Sequence, residues 1–219
     1  MVVPSKKTKK SSGKTLINAL LFVMHFLVKN GYLVLYNAVS WVGWTYVLAQ
    51  TVSELAKNQG DYTKSYDNIG VILKWVQTTA LLEVLHVVTG LVKSPIMTTI
   101  IQVTSRLFLV WGVVDLFPEV RTHLAFTTMT IAWSVTESIR YAYYGFSLLN
   151  IQPALILWAR YTFFFILYPL GAGSEAILVY QSLAYSKGYN HTYYLVEIFA
   201  LLTYPPGELL VVLLHVLLF

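Results

Sequence analysis

The chain has 219 residues, 57% of them hydrophobic and only 11% charged, with a mean hydropathy of +0.62 and a formal net charge of +5. Soluble domains carry roughly 25% charged residues, so a freely soluble domain is excluded, and with it a separate soluble catalytic lobe. Cysteine is absent, which removes disulfides, thiolate nucleophiles and cysteine-held metal.

The first element is a basic tail. Lys6, Lys7, Lys9, Lys10 and Lys14 lie in "MVVPSKKTKKSSGK", a composition expected to stay disordered beside anionic lipid. Because the positive excess is concentrated there, it does not point to nucleic acid. The piece "TLINALLFVMHFLVKN" (15–30) ends at Lys29 and Asn30. It reads as an interfacial helix or as a prolongation of the first span. Residues 1–30 are thus set apart from a membrane domain over 31–219.

Six apolar segments follow, at about 33–55, 71–92, 96–116, 122–148, 154–184 and 194–219. Each has about the twenty residues needed to cross roughly 30 Å of hydrocarbon. The expected fold is all-α, a polytopic bundle of six transmembrane helices. Lysine and arginine counts lean towards a cytosolic N-terminus, and six spans then put both termini in the cytosol. The sequon at Asn190 falls in the last lumenal loop. Trp41, Trp44 and Trp75 read as members of an interfacial aromatic belt. No internal repeat and no glycine-rich nucleotide loop is present, so no cofactor is expected.

Glu83, Glu137, Glu175, Glu208, Arg106, Arg140 and Arg160 fall inside these segments. A charge in the bilayer centre costs at least about 2.5 kcal/mol, so such residues face a bundle interior or a wet cavity. Glu137 and Arg140, at i and i+3, can pair on one helix face. Arg106, with Gln102 and Ser105, is expected to line a polar interior at the depth of Glu83. His86 reads as a hydrogen-bonded interior histidine. No spacing suits a metal site.

The stretch "FILYPLGAGSEAILVY" (165–180) asks for chemistry. Seven residues turn a helix by about 700°, which sets Tyr168 and Glu175 on one face, roughly 10 Å apart along the axis. Gly171 and Ser174 share that face and are expected to leave open space between them. Pro169 is expected to bend the helix. The result is a notch with a phenol at one end and a carboxyl at the other. A belt tyrosine and an arginine-paired glutamate are the structural alternative. Tyr168 lies too deep for the belt, and Glu175 has no arginine within i±4.

"YLVLYNAVSWVGWTYVL", "SPIMTTIIQVTSRLFLVWG", "WSVTESIRYAYYGF", "RYTFFFILYPLGAGSE" and "YPPG" resemble the membrane 3-hydroxyacyl-CoA dehydratases of very-long-chain fatty acid elongation. The similarity runs from about Tyr32 to the C-terminus. It implies a six-span endoplasmic reticulum enzyme that converts (3R)-3-hydroxyacyl-CoA to trans-2-enoyl-CoA, the third step of the elongation cycle. The family's catalytic pair falls on Tyr168 and Glu175. Gly171 and Ser174 would then give room or hydrogen bonds to the thioester oxygen. The family has also been called tyrosine-phosphatase-like, but a chain without cysteine lacks that phosphatase's nucleophile.

Coenzyme A is polyanionic, so cations are expected at the cytosolic mouth, with Lys93, Arg140 and Arg160 as phosphate contacts. Arg106 is a further substrate-side candidate, while Glu83, Gln102 and Glu137 are supporting polar groups. Implied partners are the long-chain acyl-CoA, membrane lipid and the cycle's condensing enzyme, ketoreductase and enoyl reductase. The alternatives are a non-catalytic scaffold of those enzymes or a small-solute transporter.

Overall fold

The computed structural model describes the backbone of residues 7–218 and, within it, the side chains of Met24 and of residues 26–204. The described chain is all-helical, without a strand. Helix α1 (Lys7–Lys57) begins inside the stretch expected to be disordered and takes in 15–30 as a prolongation of the first segment. No proline lies between Pro4 and Pro95, so nothing in that stretch obliges the helix to stop. Lys6 lies outside the described residues.

A short turn capped by Asp61, whose carboxylate accepts from the Thr63 N–H (3.0 Å), leads into α2 (Ser65–Thr78) and α3 (Leu81–Val88). Gly90 then adopts φ +72°, where a glycine ends the run at no steric cost. Helix α4 (Ile96–Leu107) continues as a π-helix over Phe108–Asp115. Helix α5 (Leu124–Leu148) follows, then α6 (Ala154–Thr162), α7 (Phe164–Tyr189) and α8 (His191–Leu218). The Asn190 carboxamide accepts from the N–H groups of Thr192 and Tyr193, capping α8.

These helices fall on the six apolar segments. Among the described residues, Tyr62–Val88 and Ile96–Asp115 are each long and apolar enough to cross a membrane. The pair α6 and α7 joins them if counted as one broken span, bent by 46°. The bend falls at Phe163, between Thr162 and Phe164, and α7 runs through Pro169. The bend expected at Pro169 therefore lies upstream of it, beyond the turn that a proline crowds.

Helix α5 is the centre of the bundle, flanked by α1 and α7, with α8 packed on α7 and α2 against α1. The core joins Trp44 and Val47 of α1, Leu73 of α2, Leu109 and Val113 of the π-helix, Phe126, Met129 and Trp133 of α5, and Leu178 of α7. Trp44 therefore belongs to the core, edge-on to Trp133 at 6.5 Å, and not to an aromatic belt. Trp41 and Trp75 are exposed.

The π-helix positions the last contact. Gly112 offers its carbonyl to the Tyr193 hydroxyl of α8 at 2.7 Å. A Cβ at 112 would lie 2.5 Å from that hydroxyl, so only glycine admits this approach.

Candidate active site

Helix α5 places Trp133, Glu137, Arg140 and Tyr141 at i, i+4, i+7 and i+8, a spacing that gathers side chains on one side. Glu137 is 2% exposed and accepts from two guanidinium groups, Arg106 of α4 and Arg140 of its own helix (2.7 Å). Arg140 also forks onto Glu83 of α3, at 2.8 and 3.1 Å. The Tyr141 hydroxyl donates to the same Glu83 oxygen at 2.5 Å, and Tyr36 of α1 donates at 3.4 Å. Two carboxylates and two guanidiniums thus balance in a network that joins α3, α4 and α5. Such balance is what makes buried charge tolerable.

The network reaches α7 through an aromatic ring. The Arg106 guanidinium lies over Trp133, 4.3 Å from its centroid. The Trp133 indole N–H donates to Glu175 Oε1 at 2.7 Å, and the Tyr204 hydroxyl of α8 donates to Oε2 at 3.1 Å. Tyr168, two turns before Glu175 on α7, is half-buried and stacked on Phe164 at 5.0 Å. The site thus sets a phenol and an oriented carboxylate along one helix face, at the edge of a charge-balanced interior.

Several candidates from the sequence land elsewhere. Gly171 and Ser174 are buried at the α5–α7 contact and do not face open space. A Cβ on Gly171 would touch Ala132 at 3.6 Å and Trp133 at 3.7 Å, and the Ser174 hydroxyl donates to the Leu170 carbonyl and bonds Thr128. Small residues on α7 thus let α5 approach closely. Arg140 is held inside by two carboxylates, and Arg106 is tied to Glu137. Gln102 and Ser105 are exposed on the outer side of α4, so Arg106 turns inward without them. Arg160 stacks over Tyr143 and Tyr144 (4.6 and 5.3 Å), and Lys93 is exposed between α3 and α4. His86 bonds the Tyr32 hydroxyl at 2.8 Å. The side chain of Glu208 lies outside the described residues. No group of three or more His, Asp or Glu among the described residues is placed to hold a metal.

Sequence reasoning missed Trp133, Tyr141 and Tyr204, although all lie in or beside stretches dense in polar and aromatic residues. It also passed over Glu197, which is fully buried on α8 and accepts from Ser182 of α7 at 2.7 Å. A glutamate in "YYLVEIFALL" was the available signal.

Fold and site define an all-helical membrane protein whose buried ion pairs converge on one oriented carboxylate. The model of the family described as "Protein tyrosine phosphatase-like protein, PTPLA" matches residues 77–218. The chain is 45% identical over 162 residues to very-long-chain (3R)-3-hydroxyacyl-CoA dehydratase PASTICCINO 2 of Arabidopsis thaliana, covering 74% of this chain and 72% of that one. It is 45% identical over 157 residues to very-long-chain (3R)-3-hydroxyacyl-CoA dehydratase 2 of Homo sapiens, covering 71% of this chain and 61% of the human one. A probable dehydratase of the same name from Schizosaccharomyces pombe is 46% identical over 162 residues, 73% of this chain and 76% of that one. No solved structure matches. The chain belongs to this protein tyrosine phosphatase-like family of dehydratases.

Proposed function

We propose that the chain dehydrates very-long-chain (3R)-3-hydroxyacyl-CoA to trans-2-enoyl-CoA within its helix bundle. The observation that carries this reading is the pairing of Tyr168 with a hydrogen-bonded Glu175 on one face of α7. Dehydration requires a base at C2 and an acid at C3. Glu175 takes the C2 proton, the C2–H electrons form the double bond, and the C3–O bond breaks as Tyr168 protonates the leaving hydroxyl. Water departs, and the proton on Glu175 returns to Tyr168 to close the cycle.

In this reading the helical segments make six spans, and both termini lie in the cytosol at the endoplasmic reticulum membrane. Lengths of 51, 25 and 28 residues for α1, α5 and α8 suffice for crossing even where their composition is less apolar. Arg160 and Lys93 remain the candidate contacts for the coenzyme A phosphates, since Arg106 and Arg140 are neutralised inside. The substrate must come from a ketoreductase and the product must pass to an enoyl reductase, so the cycle's other enzymes, the condensing enzyme among them, are the natural neighbours.

The test is dehydration of a long-chain 3-hydroxyacyl-CoA by the purified protein, beside Tyr168→Phe and Glu175→Gln. Each substitution is expected to lower kcat by about 10²–10⁴-fold, the range for a lost general acid or base, with folding intact. An active parent with indifferent variants would refute this site.

A further inference from the structure

The two oxygens of Glu175 meet chemically different partners from different helices. Oε1 accepts the Trp133 indole N–H of α5 at 2.7 Å, while Oε2 accepts the Tyr204 hydroxyl of α8 at 3.1 Å. An indole N–H only donates, whereas a phenol hydroxyl both donates and accepts. Oε1 is therefore committed as an acceptor in this geometry. Oε2 is the oxygen that can gain or lose a proton while staying hydrogen-bonded to Tyr204.

Both donors are themselves held. The Arg106 guanidinium sits over the Trp133 face at 4.3 Å, and Trp44 meets that ring edge-on at 6.5 Å. Glu137 anchors Arg106 in turn. The absence of a Cβ on Gly171 leaves the edge of the indole lying close against α7, 3.7–3.9 Å from where that atom would be. Tyr204 is followed directly by Pro205 and Pro206, whose rings restrict the backbone beside it.

We propose that Trp133 and Tyr204 are positioning residues for the dehydration, Trp133 fixing the plane of the Glu175 carboxylate through Oε1 and Tyr204 presenting Oε2 as the atom that takes the C2 proton. This rests on the reading of Glu175 as the proton-accepting group. Neither residue need touch substrate. The buried ion pairs of α3, α4 and α5 acquire a role beyond holding helices together, because they set the ring that sets the carboxylate.

The experiment joins kinetics to a readout that needs no turnover. Tyr204→Phe keeps the ring and deletes the hydroxyl donor, while Trp133→Phe deletes the indole N–H and leaves a smaller aromatic ring. Each is expected to lower kcat roughly 10–100-fold, the penalty of a misplaced catalytic group, with KM for the 3-hydroxyacyl-CoA changed by less than about twofold. Should Trp133→Phe fold poorly, β-(3-benzothienyl)alanine at 133 keeps the ring shape and removes only the N–H. In parallel, indole N–H resonances are recorded for the whole protein in detergent, where the chain has six tryptophans. The signal lost in Trp133→Phe should move on Glu175→Gln and stay in place on Tyr168→Phe.

A Trp133 resonance indifferent to Glu175→Gln overturns the clamp. Variants that raise KM at unchanged kcat overturn the positioning role. A silent parent refutes the dehydratase reading, and this role with it, even if the resonance responds. An active parent whose Trp133 and Tyr204 variants keep full kcat refutes this role alone.

Discussion

Glu137 shows how one residue can hold a membrane interior together. Its carboxylate is 2% exposed and serves both Arg106 and Arg140. Replacing it by alanine would take the carboxylate from Arg106 and leave Arg140 with Glu83 alone, and loss of one partner of a buried pair costs about 3–5 kcal/mol. Glu137→Ala is therefore expected to lower thermal stability in detergent severely, a result that a melting experiment by circular dichroism reads directly. Glu175→Gln should leave the melting temperature nearly unchanged, because glutamine still accepts through its carbonyl. Tyr168 and Glu175 were legible as a pair from their spacing and depth. Their partners were not, because a donor reaching from another helix is chosen by how α5 and α8 are rotated. Helices apolar nearly all round leave that rotation open.

At the scale of elements, apolar length located the helical segments after the basic tail, while the bend expected at Pro169 lies at Phe163 and the π-helix went unread. The bend at Phe163 and the π-helix over Phe108–Asp115 are set by packing and not by a local signal. Gly112 is the one residue that hints at the latter, since its missing Cβ admits the Tyr193 hydroxyl to its carbonyl. Gly112→Ala should cost about 1–3 kcal/mol, the penalty of a buried group left unpaired. Tyr193→Phe removes the same bond, so the double variant should lose less than the sum of the two singles. Additive losses, measured by thermal unfolding, would mean that α4 and α8 are not coupled through this contact.

Across the whole molecule, charge is sorted. Glu83, Glu137, Arg106 and Arg140 cancel inside, whereas Arg160 lies on the faces of Tyr143 and Tyr144. Arg160→Gln is expected to raise KM for a coenzyme A ester by about 10-fold, as for loss of one charge-assisted contact. A shorter thioester lacking the phosphates should be affected little. Arg140→Gln is expected to lower stability instead, as it breaks two buried pairs. Parallel KM values for the two esters with Arg160→Gln would remove Arg160 from the phosphate site.

Composition and apolar spacing alone determined an all-helical chain for a membrane and made Tyr168 and Glu175 candidates, since hydrocarbon demands internally bonded backbone and tolerates few charges. The tertiary structure decided which charges meet. It turned Arg140 and Arg106 from expected substrate contacts into internal pairs, closed the space expected at Gly171 and Ser174, and brought Trp133 and Tyr204 to the two oxygens of Glu175. Apart from the Glu137–Arg140 pair, three positions apart and already expected from the sequence, those contacts join residues between 29 and 57 positions apart in the chain, and only the packing of one helix against another sets such distances.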